Sequence, residues 1–306
     1  MQRRFLDYAV ISLKGIAMGA ADAVPGVSGG TIAFISGIYE ELISTISGVN
    51  LTLFTTFKNE GFKTFWKQLN GNFLVALLTG ILISFVSFMR LAKYLIEHHP
   101  VLIWSFFFGL IVASVYFVGK QITKWNASAI ISFAIGTIAA YYISQLPSMS
   151  DTDSSLFLFF AGALAICAMI LPGISGAFIL VILGAYKTLS DALHDFDFKK
   201  IVVFAFGALV GILSFSRVLK WLFKHYHNAT LAILTGFIFG SLNKIWPWKR
   251  VLTWRKDSAG MDIPLVEKSI SPFNYEGNPQ LVFAICLMLI GFLTIFILER
   301  IGDKKN

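Results

Sequence analysis

The chain has 306 residues, of which 56% are hydrophobic and only 14% are charged, and its formal net charge is +8 at pH 7. Soluble globular domains carry about 25% charged residues, so this composition excludes a protein that faces water on all sides. The Lys and Arg residues fall between apolar stretches instead of forming a basic stripe with exposed aromatic residues. This pattern argues against nucleic-acid binding and favours contact with a lipid bilayer.

Apolar segments follow one another along the chain, and several approach the roughly 20 residues that a helix needs to cross a bilayer. They lack the alternation of barrel strands, and lipid offers no partner for free backbone groups, so they predict helices. The first half predicts a broken apolar pair and three spans, at residues 6–22 and 30–47, then 72–90, 101–119 and 127–146. The second half predicts the same order, at 155–171 and 174–190, then 200–219, 229–245 and 280–299.

The two halves of the chain also match in sequence. Residues 25–42 and 172–189 are identical at nine of 18 positions, and a second match aligns residues 90–114 with 217–241. A broken pair contributes an even number of crossings and three spans follow it, so the second copy is inverted. We predict an all-α polytopic membrane protein built from two inverted repeats, residues 1–146 and 147–306, each with a broken helical hairpin and three transmembrane helices. Such repeats are typical of secondary carriers, which bind substrate near the midplane.

The most specific motif is Pro-Gly-x-Ser-Gly, which occurs once in each half. Pro and Gly interrupt a helix, and the helix starts that follow would offer free N–H groups to an anion such as phosphate. The alternative is a kink used only for close helix packing. The residues predicted to bind substrate at these breaks are Pro25, Gly26, Ser28, Gly29, Gly30, Thr31, Pro172, Gly173, Ser175 and Gly176.

Ionisable residues in or beside the spans are further candidates, because burying a charge in lipid is costly. Asp22, Glu40 and Glu41 could carry a coupled proton, although the two Glu could instead lie at the surface. Arg90 and Arg217 could bind a phosphate headgroup or could merely extend to the membrane interface. No cluster of ligands predicts a metal, and nothing in the sequence predicts a cofactor.

The stretch Gly15–Leu42, with its D-x-x-P-G-V-S-G-G-T pattern, and the later L-P-G-I-S-G-A-F at 171–178 resemble the PopT family of polyprenyl-phosphate translocases. The resemblance extends over nearly the whole chain. It implies a non-enzymatic carrier in the bacterial cytoplasmic membrane that returns undecaprenyl phosphate to the inner leaflet, with this lipid and the bilayer as partners. It carries over the motif positions and Asp22. The distribution of Lys and Arg places both termini in the cytoplasm.

Two other functions remain open at this point. Undecaprenyl-pyrophosphate phosphatases have a comparable Pro-Gly-x-Ser motif, but an Arg follows their Ser. Here Gly29 and Gly176 occupy that position, which argues against hydrolysis. A channel or carrier for small anions is compatible with broken helices alone.

Overall fold

The computed structural model describes residues 3–22, 28–146, 154–256 and 262–303. Within these ranges almost all regular structure is α-helical. The helices with the length and apolar composition to cross a membrane are Pro100–Lys120, Ala127–Gln145 and Phe198–His225. Shorter apolar helical stretches lie at Gly71–Ser84, Ser155–Ile170 and Leu281–Phe296. The chain is therefore an all-α polytopic membrane protein, as predicted.

The elements follow one another in the predicted order, with two additions. The helices of the first half are α1 (Phe5–Asp22), α2 (Gly29–Ile35), α3 (Tyr39–Ser47), α4 (Leu51–Gln68), α5 (Gly71–His98), α6 (Pro100–Lys120) and α7 (Ala127–Gln145). Those of the second half are α8 (Ser155–Ile170), α9 (Gly176–Ile182), α10 (Ala185–His194), α11 (Phe198–His225), α12 (His227–Ser241) and α13 (Leu281–Asp303). Between α12 and α13, strands β1 (Lys249–Lys256) and β2 (Asp262–Ser269) form an antiparallel hairpin.

The second segment of each broken pair is itself interrupted, so the predicted continuous segments 30–47 and 174–190 were wrong. Gly37 separates α2 from α3 and Gly184 separates α9 from α10, each with a φ of 73°. Glycine adopts this left-handed conformation without steric cost. The two glycines occupy matching positions of the sequence repeat, so the additional break belongs to the repeated unit.

The additions are α4 and the β-hairpin, which lie in segments predicted only as connections. Helix α4 has exposed Phe54 and Phe62 as well as exposed Lys58 and Lys63. Asn50 caps its first turn by accepting a hydrogen bond from the Leu53 amide at 3.0 Å. This mixture of Phe and Lys is typical of helices that lie in the membrane interface and is too polar for a span.

The long helices associate in four pairs, α1 with α5, α8 with α11, α7 with α12, and α6 with α13. In every pair a glycine of each helix lies directly against the backbone of its partner, where a larger residue would collide. Small residues allow this close approach between membrane helices. These glycines are Gly15 and Gly80, Gly162 and Gly207, Gly136 and Gly236, and Gly109 and Gly291.

The direction of the pairs shows how the halves are related. Phe133 and Thr137 of α7 face Gly236 and Gly240 of α12 in the same order, so these two helices run parallel. Thr123, just after the end of α6, donates a backbone hydrogen bond to Asn228 at the start of α12. Because α6 also packs along α12, these two helices run in opposite directions. This is the sense that an inverted repeat requires. The predicted boundary after residue 146 adjoins residues outside the described ranges, and the division into repeats stays a prediction.

The first broken pair returns to the end of the molecule from which it starts. Helix α1 begins beside Arg3, whose guanidinium pairs with Glu41 at 2.6 Å just after the hairpin has returned. Lys14 Nζ also donates to the Ser36 carbonyl at 2.6 Å. At the other end of α1, Gly19 packs against Ser84, near the middle of the 28-residue α5. The first broken pair is thus re-entrant, and α1 ends at about half the length of the neighbouring α5.

The glycine contacts between paired helices predict a local sensitivity to added volume. Gly109→Ala should lower the free energy of unfolding by about 1–3 kcal/mol, because its new methyl group would overlap the Met288 backbone. Gly119→Ala in the same helix is the matched control, since its nearest neighbours would be 3.9 Å away. Thermal unfolding in detergent micelles measures both, and equal midpoints for the two variants would contradict this account of the pairing.

Candidate functional site

The start of α2 and the break that follows α8 meet and hydrogen bond to each other. Ser28 Oγ lies 3.3 Å from the carbonyl oxygens of Met169 and Leu171 and donates to this pair. In the opposite direction, the Gly173 amide donates to Thr31 Oγ1 at 2.9 Å. Ser28 and Thr31 are almost fully buried, with 2% and 0% of their surface exposed. The hydroxyl groups of one motif therefore satisfy the backbone where the other helix breaks.

The start of α2 is bound by groups of the chain itself. Asp22 Oδ1 accepts a hydrogen bond from the Gly29 amide at 2.7 Å, and Ser28 Oγ accepts one from the Gly30 amide at 3.1 Å. The carboxylate also fills the space where a side chain at position 29 would lie. The expectation that these amides are free for an anion was wrong for this arrangement, because Asp22 already supplies the negative charge that a helix start favours.

The start of α9 differs, because the Ser175 side chain makes no capping hydrogen bond there. Next to it is a cavity of about 20 Å³, which has room for about one water molecule. Its lining residues are Gly173, Ile174, Ser175 and Phe178 of the second motif, Ala140, Ile143 and Ser144 of α7, and Ser241 and Lys244 at the end of α12. A phosphate group would fit only after α7 or α12 moves away from the motif.

Lys244 gives this cavity a positive charge that the sequence analysis missed. Its Nζ lies 4.7 Å from the centre of the Phe178 ring, where a cation is attracted to the aromatic face. Lys244 falls inside the predicted span 229–245, so the rule that selected Asp22, an ionisable residue within a span, would have selected it too. The matching position of the first half is Phe117, and the charge is therefore present in one half only.

An apolar groove of about 360 Å³ lies on the same two helices. It is lined by Thr137, Ile138 and Tyr141 of α7 and by Phe239, Gly240, Leu242 and Asn243 at the end of α12. Ile138 and Tyr141 are largely exposed on the surface of the molecule. Ala140 and Ser241, which line the cavity beside Ser175, directly adjoin residues of the groove in sequence. The cavity that contains Lys244 and the apolar groove thus flank one pair of helices.

The remaining predicted site residues lie away from these turns or outside the described residues. Arg217 Nη2 donates to the Val49 carbonyl at 2.8 Å and so joins α11 to the end of α3. Glu41 accepts hydrogen bonds from Arg3 and Asn70, and Glu40 lies 3.3 Å from His227 Nε2 at an exposed position. The structure therefore separates the Glu pair from Asp22.

The contacts of three further predicted residues are not described. Pro25 and Gly26 lie outside the described residues. Arg90 lies in α5, and its side chain is not described. Pro172 follows the end of α8 and precedes Gly173, which has a φ of 84°. Gly176 begins α9 and packs against the Ala165 carbonyl, so the predicted helix starts at residues 29 and 176 have the expected bounds.

The hydrogen bond between Thr31 and Gly173 can be tested directly. Thr31→Val should destabilise the protein by about 1–3 kcal/mol, because the partly buried Gly173 amide would lose its acceptor. Thr235→Val is the matched control, since the buried Thr235 hydroxyl donates only to Leu231 of its own helix. The midpoint of thermal unfolding in detergent measures the difference. A control that loses as much stability as Thr31→Val would argue against a special role for the contact between motifs.

Comparison with known proteins identifies the family. Residues 18–263 match the model of the VCA0040-like family, described as undecaprenyl phosphate translocase-like. The chain is 42% identical over 308 residues to a polyprenyl-phosphate transporter of Vibrio cholerae, covering 99% of this chain and all of that one. It is 34% identical over 254 residues to a polyprenyl-phosphate transporter of Staphylococcus aureus, covering 77% of this chain and 85% of that one. No solved structure matches. The chain belongs to the undecaprenyl phosphate translocase-like family.

Proposed function

We propose that this chain carries polyprenyl phosphate, specifically undecaprenyl phosphate, from the outer to the inner leaflet of the bacterial cytoplasmic membrane. One observation supports the proposal: the start of α2 hydrogen bonds to the backbone at the break of the second pair, and α1 ends about halfway along α5. Irregular backbone at such a depth is tolerated only inside protein or beside a watery cavity. The names of the two relatives support the choice of substrate.

The cavity beside the second motif is the proposed position of the headgroup. Ser175 would donate a hydrogen bond to a phosphate oxygen, and the Lys244 ammonium would balance part of its charge. The prenyl chain would remain in the apolar groove between α7 and α12 and in the lipid beyond it. Because the cavity has room for only about one water molecule, headgroup entry requires the end of α12 to move away from α9.

Transport then requires the headgroup to pass from the second motif to the first. The two motifs are already in contact through Ser28, Thr31 and Gly173, so the path between them is short. At the first motif the phosphate would compete with Asp22 for the Gly29 amide. Arg90 and Arg217 stay predicted headgroup contacts, and Arg217 would first have to release the Val49 carbonyl.

Displacement of Asp22 suggests how a proton is coupled to transport. Moving a negative headgroup inward against a negative-inside potential costs about 2.3 kcal/mol per charge per 100 mV. A proton taken up by Asp22 as the phosphate replaces it would offset this cost and avoid two adjacent negative charges. Glu40 and Glu41 would then act only where protons leave, at the Arg3 end of the molecule, which we propose is cytoplasmic.

The proposal is tested by the lipid that accumulates when the protein is depleted. Outer-leaflet undecaprenyl phosphate should rise severalfold in depleted cells and return to normal when the chain is re-expressed. Accumulation of the pyrophosphate form instead, with phosphate release by purified protein, would support a phosphatase. Chloride flux into liposomes without lipid transport would support a small-anion carrier.

Asp22→Asn tests the coupling. The variant should retain the hydrogen bond to Gly29 through its amide oxygen but should lose the proton, so transport into liposomes should stop responding to an imposed pH gradient. Glu276→Gln is the control, because the exposed Glu276 pairs with Arg250 of β1 and has no part in the proposed coupling. Unchanged transport and unchanged response to the gradient in Asp22→Asn, at normal expression, would remove the proton from this site.

A further inference from the structure

A second group of charged side chains lies where the β-hairpin meets the helices. Lys244 Nζ and Lys249 Nζ lie 3.5 and 3.4 Å from the same carboxylate oxygen, Oε2 of Glu267. The Lys249 side chain is only 8% exposed, and the Lys244 and Glu267 side chains are partly shielded, with 23% and 22% exposed. Two ammonium groups therefore share one carboxylate in a largely buried position.

The strand register explains why Lys249 and Glu267 meet. In the hairpin Lys249 is opposite Ser269 and Val251 is opposite Glu267. Side chains two residues apart share a face of a strand, so Lys249 and Glu267 are diagonal neighbours on the face toward the helices. Arg250 has the opposite orientation and pairs with the exposed Glu276 at 2.9 Å.

The base of the hairpin is held firmly against the helices. The Trp248 indole donates to the Pro279 carbonyl and the Trp246 indole donates to the Ile270 carbonyl, both at 2.9 Å. Trp248 is 3% exposed and packs with Val101 of α6 and Ala284 of α13. The lysine pair therefore has a fixed position near the start of α6, unlike flexible lysines on a protein surface.

The charge in this cluster is not balanced by the described residues around it. Lys249 also lies 4.2 Å from the centre of the Trp104 ring, which attracts but does not neutralise a cation. Burial lowers the pKa of Lys249 to about 8, an effect that the neighbouring Glu267 opposes and Lys244 reinforces. A doubly charged phosphate monoester would match two lysines better than a single carboxylate does.

The cluster adjoins the cavity beside the second motif, because Lys244 belongs to the cluster and also lines the cavity. Its Nζ contacts Glu267 on one side, and on the other side it lines the cavity that contains Ser175 and Ser241. The cluster lies at the end of the molecule that contains the β-hairpin, opposite to the end that contains Arg3. Helix α12 starts at His227 beside Glu40, near the Arg3 end, and runs away from it before the β-hairpin begins.

We propose that Lys244 and Lys249 form an entry site for a phosphate monoester at the hairpin end, and that Glu267 occupies this site until the phosphate displaces it. The inference rests on the proposed transport of a phosphorylated lipid and adds the residues that receive the headgroup first. Lys249 binds the phosphate at entry, and Lys244 transfers it to Ser175. Glu267 sets the affinity, because every anion that enters must replace its carboxylate.

Binding to the purified full chain in lipid nanodiscs tests the proposal, with a short-chain polyprenyl phosphate and inorganic phosphate as separate probes. Glu267→Gln should strengthen binding of the lipid phosphate by about tenfold, because a neutral amide competes less well for two ammonium groups. Lys249→Met should weaken it by about tenfold, and Lys249→Arg should retain most of it. A gain in affinity in Glu267→Gln cannot result from misfolding.

The matched controls come from the other face of the same hairpin. Arg250→Met and Glu276→Gln remove one exposed charge each from that ion pair and should leave binding unchanged. Equal effects in Lys249→Met and Arg250→Met, or no change in Glu267→Gln, would overturn the proposal. Inorganic phosphate that competes with the lipid for binding supports a shared site, whereas binding of inorganic phosphate without binding of the lipid would contradict an entry site for the carrier substrate.

Transport measurements on the same variants separate this inference from the proposed function. If the unaltered chain transports polyprenyl phosphate in liposomes while Lys249→Met and Glu267→Gln bind and transport it equally well, the entry site is wrong and the function stands. If the unaltered chain neither binds nor transports the lipid, the function itself fails.

Discussion

Backbone that leaves the helical conformation inside a bilayer must find its hydrogen-bond partners within the protein, and the rest of this structure depends on how that requirement is met. Ser28 serves two carbonyls at the end of α8, and Thr31 accepts from Gly173. The residues at each interruption thus supply hydrogen-bond partners for the other. The two breaks therefore find these partners inside the protein, in the opposite half of the chain.

The same contact places polar chemistry where a carrier needs it. The glycine contacts pair α7 with α12, and α12 packs directly against Gly173 of the second motif. Carboxylates then occupy positions that suit an anion: Asp22 at the start of α2 and Glu267 between two lysines. A protein that binds phosphate only transiently has reason to keep such groups, since they prevent unpaired donors between transport cycles and limit how tightly the substrate is held.

Much of the fold followed from the sequence, because Pro and Gly interrupt helices through local geometry that needs no tertiary context. The starts of α2 and α9 were predicted at residues 29 and 176 for this reason. The contact between Ser28 and Leu171 was not predictable in the same way, since 143 residues separate them and one sequence carries no record of that proximity. The α4 helix and the β-hairpin were missed because their mixed polarity resembles that of a loop. The contact between Asp22 and Gly29 was missed because a capping residue seven positions away follows no simple sequence pattern.

The first half of the chain has Phe117 at the position that Lys244 occupies in the second half. The two ends of the proposed path are therefore chemically unequal. A cation at one end of the path favours binding of the lipid at that end when the lipid is scarce. Affinity alone cannot set the direction of net movement, because binding and release at equilibrium obey one free-energy difference. Directionality must come from elsewhere, either from consumption of the lipid on the receiving side or from an ion gradient. On the proposed mechanism, Lys244 would thus affect how efficiently the lipid is captured at low concentration, while its consumption or the membrane potential would decide the leaflet in which it accumulates.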